Sequence, residues 1–517
     1  MGRILPPLSI IINDFSLGVT NNLRSDDIRF AKNILHFDIF SAKNKLIPFS
    51  QLEADGSVGN TEKLTMFLSA GTTQANTKQY ALGVVSGQLY AKIFERASLP
   101  TGAWTGSTTG ESSGIARNER LFVLYRDSGG NQVIYGAKGG TTIWSYRIDN
   151  NTFTEDGSTA PSNALTYTDI GQGIVHSKDD ILYVPYDNKI AKNNAGTWTD
   201  VALTLPTGAV ITSICEYGNF LAIATKPKFL GGSSYVYLWD RNEVDTTLSQ
   251  KIEWGAEDLY LIQELEGALI GISTTAATSI LLEPKIFFKQ YTGTGAKQFL
   301  ELPIDAPPAN GVTIGHITQK QNGRIYFMMS FEVDDVQFNG VWSIGKSSSG
   351  TWALSMDRKI NNDTDITGTP KPLGFQLLGD YMTVAYNDGN DYKANRTDDA
   401  SPPGFTNATS VYETIILNFG DASVTKKLLS VTIISEPLPT AGQVVVKYKK
   451  DEETTFANTI LTNTTDNSIR KSAINIESSG ATLPQFKEII FRLESTGNCI
   501  ITGLKIRVEE VKDDLID

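Results

Sequence analysis

Asn118-Glu119-Arg120-Leu121-Phe122-Val123-Leu124-Tyr125 runs a polar turn straight into alternating apolar residues, and the pattern returns five times before Tyr392. The further copies are Lys178-Asp179-Asp180-Ile181-Leu182-Tyr183-Val184, Tyr217-Gly218-Asn219-Phe220-Leu221-Ala222-Ile223, Glu266-Gly267-Ala268-Leu269-Ile270-Gly271-Ile272, Gln321-Asn322-Gly323-Arg324-Ile325-Tyr326-Phe327 and Leu378-Gly379-Asp380-Tyr381-Met382-Thr383-Val384. A tight turn followed by alternating apolar residues is a hairpin signal. The anchors Leu121, Leu182, Leu221, Leu269, Ile325 and Met382 recur at irregular intervals of roughly 40 to 60 residues, about the length of one four-stranded propeller blade.

Aromatic strands follow several copies, at Thr142-Ile143-Trp144-Ser145-Tyr146, Tyr235-Val236-Tyr237-Leu238-Trp239-Asp240 and Gly340-Val341-Trp342-Ser343-Ile344. A Gly-x-Trp element recurs at Gly102-Ala103-Trp104, Gly196-Thr197-Trp198 and Gly350-Thr351-Trp352. A blade is a small twisted sheet whose two faces are both covered by neighbours, which explains large apolar residues on both alternations. The reading is a β-propeller. The same hairpins could also build a sandwich, which is the competing arrangement. Leu64-Thr65-Met66-Phe67-Leu68, Tyr80 to Val85 and Gln88 to Ile93 occupy the place of an opening blade, so six or seven blades are expected. Circular closure calls for strands from both ends in one blade, pairing the segment before Leu64 with residues near Tyr392.

The 517 residues allow several domains, and 45 Gly with 19 Pro suit many short strands joined by turns. The class is all-β. A net charge of −12 argues against a sequence-reading DNA binder and leaves DNA as a passing cargo only. Cys215 and Cys499 stand far apart inside apolar strand patterns and read as two buried free thiols. Met1 to Pro7 lacks a signal core, and no stretch approaches the roughly 20 apolar residues of a membrane helix. No membrane insertion is expected.

Residues 1–60 form an arm unlike the rest. Leu8-Ser9-Ile10-Ile11-Ile12 reads as a strand, Ser25 to Leu35 as a capped helix of about two or three turns, and His36 to Ile39 and Lys45 to Phe49 as strands. Phe15, Leu17, Ile28 and Phe30 are the apolar residues with which the arm would dock on neighbours. The propeller is expected over 61–398. Asp398-Asp399-Ala400-Ser401-Pro402-Pro403-Gly404 marks a boundary, and longer strands over 405–517 predict a β-sandwich of about 110 residues.

The arm motif Asn13-Asp14-Phe15-Ser16-Leu17-Gly18-Val19, with Ala31-Lys32-Asn33-Ile34 and the closing Leu46-Ile47-Pro48-Phe49, resembles the opening of tailed-bacteriophage virion proteins that continue into a propeller. Phe419-Gly420-Asp421 followed by Lys426-Lys427-Leu428 is similar to C-terminal modules of phage tail proteins. The resemblance implies a structural tail component of nozzle or hub type, assembled in the host cytoplasm and carried in the virion tail. It also implies a homo-oligomeric ring, six subunits by analogy, around a channel for DNA ejection, joined to other tail or adaptor proteins.

Chemistry has few footholds. Ser347-Ser348-Ser349-Gly350-Thr351-Trp352 and Asn193-Asn194-Ala195-Gly196-Thr197-Trp198 keep the Gly-Thr-Trp end of the sialidase turn repeat without its aspartate. His36, His176 and His316 are scattered, and Asp179-Asp180, Asp334-Asp335 and Asp398-Asp399 sit in turn contexts where Asp caps its own backbone. No phosphate-binding glycine loop occurs, so no catalytic residue, cofactor or metal is expected and the chain reads as a non-enzyme. Glu509 to Asp517 reads as a solvated acidic tail. The alternative function is a tail-tip or fibre-associated receptor protein that binds host glycans, with Trp104 and Trp198 as the residues that would stack on sugar faces.

Overall fold

A computed structural model describes residues 7–20, 22–42, 44–55, 62–71, 77–85, 92–97, 102–106, 117–138, 143–154, 171–229, 231–243, 248–275, 284–304, 313–333, 336–347, 350–360, 371–379, 381–387, 392–397, 409–463, 471–475, 482 and 484–511. The described residues are all-β, and they form two compact units. One comprises Met1–Leu52, Val341–Lys359 and Asp398–Asp517; the other comprises Glu53–Gly340 and Ile360–Thr397.

In chain order the strands begin with β1 (Leu8–Ile12), β2 (Ala31–Leu35), β3 (Phe37–Asp38), β4 (Ile47–Pro48) and β5 (Leu52–Ala54). Blade 1 is β6 (Glu62–Ala70), β7 (Lys78–Val85), β8 (Lys92–Arg96) and β9 (Thr105–Gly106); blade 2 is β10 (Arg117–Arg126), β11 (Gln132–Lys138), β12 (Ile143–Arg147) and β13 (Thr152–Thr154). Blade 3 is β14 (Ile174–His176), β15 (Ile181–Tyr186), β16 (Lys189–Asn194) and β17 (Thr197–Thr204); blade 4 is β18 (Ala209–Tyr217), β19 (Phe220–Pro227), β20 (Ser234–Trp239) and β21 (Gln250–Gly255). Blade 5 is β22 (Asp258–Leu265), β23 (Ala268–Thr274), β24 (Lys285–Tyr291) and β25 (Ala296–Pro303). Blade 6 opens with β26 (Thr313–Gln321) and β27 (Arg324–Val333) and continues into β28 (Val336–Lys346) and β29 (Trp352–Lys359), where the chain passes from one unit to the other. Blade 7 is β30 (Lys371–Leu378), β31 (Tyr381–Asn387) and β32 (Tyr392–Thr397), completed by β5.

Among the described residues the propeller therefore has seven blades, and its last sheet is closed by a strand that precedes the first. The Asp55 amide donates to the Ala394 carbonyl at 3.0 Å just past that closing strand. The recurrent polar turn is the hairpin between first and second strands. Asn322 and Gly323 both take positive φ there, 51° and 71°, the pairing that a two-residue hairpin turn of matching twist requires. In five copies the apolar run is the second strand of its blade. The Leu121 copy differs, because it lies on the first strand of blade 2 and that blade's turn is Asp127 to Asn131.

Second strands are buried along nearly their whole length, as in β23 and β27, because both faces meet neighbouring blades. Fourth strands such as β17 and β21 face water on one side. The aromatic strands are third strands. In blade 2 the Trp144 ring lies over Gly136 so closely that a Cβ there would come within 2.0 Å of it. The Gly-x-Trp elements open fourth strands: Trp198 on β17 meets the Tyr135 ring of blade 2 edge-on at 5.6 Å.

The other unit is a sandwich. Its remaining strands are β33 (Ser410–Thr414), β34 (Lys426–Ser435), β35 (Gln443–Lys450), β36 (Asn458–Asn463), β37 (Lys471–Asn475), β38 (Gln485–Phe486), β39 (Ile489–Thr496) and β40 (Ile501–Glu510). One sheet runs β1-β40-β34-β37 with β38 beside β34; the facing sheet runs β29-β2-β33-β39-β35-β36. Ile12, Phe15, Phe37, Tyr412, Val446, Phe491 and Ile506 belong to its core.

Three expectations change here. Ser25 to Leu35 is not a helix: Ser25 and Asp27 close short turns on the Asp27 and Arg29 amides, and Ala31–Leu35 is a strand paired with β33 and, in parallel, with β29. The capping residues fit a turn equally well, and sheet pairing supplied the partner that a lone two-turn helix lacks. The described residues from Leu8 to Phe49, expected as a docking arm, belong to the sandwich unit, where β1 pairs with β40 and β2 with β33. Glu509 and Glu510 are likewise strand residues, opposite Lys427 and Lys426, rather than tail. The stretch expected as the domain boundary falls outside the described residues.

Candidate functional site at the propeller axis

The first strands of the blades surround an axial cavity of about 340 Å³. In six of the seven blades the pairing of first and second strand shifts register by a bulge, for example between Leu64 and Met66, Ile211 and Ser213, and Ile314 and Thr318. A bulge sharpens the local twist and re-aims side chains. Ser213 and Thr318 stand at such bulges, and with Gln172, Gln263, Gln319 and Gln376 they line the cavity.

These side chains bond across the blade boundaries. Gln172 of blade 3 accepts from the Phe122 amide at 3.3 Å and donates to the Phe122 carbonyl at 3.2 Å, mimicking a further strand beside blade 2. Gln319 of blade 6 does the same to blade 7, accepting from the Leu377 amide at 2.7 Å and donating to the Phe375 carbonyl at 3.2 Å. The Ser213 hydroxyl of blade 4 accepts from the Ile262 amide of blade 5 at 3.3 Å. Thr318 donates to Gln263 at 2.7 Å, joining blades 6 and 5; Gln376 donates to Ser69 at 2.9 Å, joining blades 7 and 1. What the wall offers is hydrogen bonding without fixed charge. His316 is the one titratable side chain among the described residues that line it.

Blade 7 approaches blade 1 closely. A Cβ on Gly374 would lie 2.8 Å from the Thr65 carbonyl oxygen and 2.9 Å from the Met66 Cα. Further out, Asp55 and Arg96 form an ion pair with both side chains fully buried. The Trp104 indole donates to the same Asp55 oxygen at 3.0 Å, the Arg96 guanidinium stacks 4.2 Å from the Trp104 ring, and Arg396 of blade 7 stands 3.8 Å from the other oxygen. One carboxylate beside the closing strand thus clasps both blades at the seam.

The predicted site residues fall elsewhere than expected. Trp104 is buried with its N–H satisfied in this clasp, so it offers no face to a sugar. Trp198 is half-buried against Tyr135. Phe15 and Leu17 are buried, Phe15 in the sandwich core edge-on to Tyr412 at 5.1 Å, and Ile28 and Phe30 pack against that core. The apolar pattern that suggested docking instead reflects burial within the chain's own sheet pair. Asp179 accepts from Arg241 at 2.6 Å and from the Tyr183 hydroxyl at 3.1 Å; Arg126 pairs with Asp180 at 2.6 Å. Asp334-Asp335 and Asp398-Asp399 lie outside the described residues. His176 is buried beside Asp179, and burial followed by the Arg241 charge lowers its pKa; His36 belongs to the sandwich unit. Both cysteines are buried free thiols whose pKa burial raises, to about 12 for Cys215 and about 11 for Cys499. Among the described residues no group of three or more His, Cys, Asp or Glu could hold a metal ion, and no helix is long and apolar enough to cross a membrane. The axial amides and the seam clasp were missed by sequence reading. Single Gln and Asp residues outside any motif carry no signal until the ring brings them together.

The fold and axis define a seven-bladed propeller joined to a sandwich. No protein-family model and no curated protein matches the sequence. Among solved structures the chain is similar to the β-propeller domain of the Trilobed protease from Pyrococcus furiosus, at 11% identity over 65% of this chain and 97% of that one, with a TM-score of 0.37. It is similar to a glycoside hydrolase at 12% identity over 89% and 99%, TM-score 0.30. It is similar also to an exo-β-1,3-galactanase from Phanerochaete chrysosporium at 11% identity over 86% and 95%, TM-score 0.26. At these identities the likeness bears on the fold alone. The expectation that the chain is not an enzyme is corrected by these matches: glycoside hydrolases stand among them, and the exclusion of catalysis is withdrawn.

Proposed function

We propose that the chain is a structural virion protein of a tailed phage, a ring-forming tail component of nozzle or hub type that surrounds the channel for DNA ejection. The observation that supports this reading is the use made of the axial wall. Its amides join blade to blade, and a buried carboxylate clasps the seam, so the propeller is a stiff disc. Stiff discs tile into closed rings without flexing. The axial cavity of about 340 Å³ is far too small for a duplex whose major groove alone is about 12 Å wide. DNA in this reading passes through an opening formed between subunits. The net charge of −12 suits a wall along which phosphate slides without sticking.

The test is electron microscopy of the purified chain and of particles carrying a labelled copy. A closed ring, six-fold by analogy, located in the tail is the expected result. A chain that stays monomeric at millimolar subunit concentration, or a label found away from the tail, would overturn the reading.

A further inference from the structure

Sheet edges are where one chain recruits another, and natural proteins guard them with charge, proline, bulges or cover. Within Leu8–Ile12 the edge at β1 carries no charge, no proline and no bulge, and Pro7 stands just before it. Its sequence is Leu-Ser-Ile-Ile-Ile, it pairs without a register shift from Leu8↔Val508 to Ile12↔Leu504, and among the described residues nothing pairs with its other side. Ile12 faces the core, whereas Ile11 is 49% exposed and Leu8 37% exposed. A flat, apolar, unguarded edge is an aggregation hazard in a monomer and a ready interface in an assembly.

The sheet's topology says what would cover it. The order β1-β40-β34-β37 alternates strictly antiparallel across four strands, so β1 and β37, its two outermost strands among the described residues, run in opposite directions. A copy added by simple rotation brings its β1 alongside β37 of its neighbour in antiparallel sense, and the alternation continues unbroken. Such a contact is head-to-tail, the class that gives a ring where the rotation closes and an open filament where it does not. An isologous pairing of β1 with β1 would give only dimers.

We infer that β1 is the subunit contact of the ring, adding as a strand to the β37 edge of the next copy. This rests on the ring reading above and moves docking from Phe15 and Leu17, which are buried, to Ser9 and Ile11, which are exposed. The main-chain pairing holds the copies together, and the exposed Ile11 adds apolar contact.

The test uses the full chain. Ser9→Lys with Ile11→Lys puts two charges on the outward positions and leaves Ile10 and Ile12 in place. Light scattering on a sizing column should show the wild type as a ring and the variant as a monomer, with subunit dissociation shifted at least tenfold in concentration and an unchanged melting curve. A synthetic peptide of residues 7–13 should dissolve the wild-type ring in proportion to its concentration. Should the variant be poorly folded, hydrogen exchange on the wild type decides. Ser9 to Ile11 and Lys471 to Asn475 protected in the ring and released on dilution support the contact; equal exchange in both states refutes it. A variant ring as tight as the wild type overturns the β1 contact and leaves the ring reading intact. A wild type that never assembles removes both.

Discussion

Asp55 joins Arg96, Arg396 and the Trp104 indole at the seam without access to water. Replacing Asp55 by Asn keeps the shape and strands a buried guanidinium, which typically costs about 3–5 kcal/mol. Urea unfolding of Asp55→Asn should show that loss in the propeller transition. His36 gives a second residue-scale prediction. It is buried at φ 59°, and desolvation, then the charges of Arg358 and Lys359, lower its pKa to about 3. Below the unfolded value near 6.5 the unfolded chain takes up a proton that the folded chain refuses. The contribution is thus complete above that pH and fades as pH falls towards 3, by about 1.4 kcal/mol per unit. His36→Asn, which tolerates the positive φ, should flatten this slope in denaturation midpoints taken from pH 7 to pH 4. The sequence held both residues in plain view. What it could not convey is that Asp55 meets Arg96 and Arg396, because that contact exists only once the circle is shut.

At the scale of elements, the axial glutamines act as short strands between blades. Gln172→Leu strips the Phe122 amide and carbonyl of their partner, and Gln319→Leu does so for Leu377 and Phe375. Leaving such groups unsatisfied costs about 1–3 kcal/mol, which thermal melts of each variant should register. Hairpins were the most legible part of the chain, since Asn322-Gly323 or Glu266-Gly267 before an apolar run admits few other structures. Blade strands two, three and four announced themselves through that turn, the aromatic run and Gly-x-Trp. Among first strands only those of blades 1 and 2 showed an apolar run; in the others the alternation was too weak to read, and bulges such as those after Ile211 and Ile314 interrupt it. Ser25 to Leu35 misled for a related reason: apolar residues at helical spacing were also the inward positions of a turn and a short strand. Trp104 misled differently, its indole being needed by a carboxylate that local sequence does not reveal.

At the scale of the whole molecule, closure by β5 makes the propeller one cooperative body. Replacing Leu52–Ala54 by Gly-Ser-Gly should leave blade 7 short of a strand and lower the propeller's melting temperature by roughly 5 to 10 °C, with a broadened calorimetric transition. A variant that melted as sharply and as high as the parent would mean that the seam is held by the axial bonds alone.

That late-arriving partner also sets a clock. The ribosome releases Ala54 about 340 residues before Tyr392, which at typical synthesis rates is a delay of roughly 17 to 70 seconds. By the end of that interval six blades stand complete, with a gap where their last neighbour belongs. A chain cut short before Tyr392 would leave β5 without the strand it pairs with, an unlatched spiral instead of a wheel.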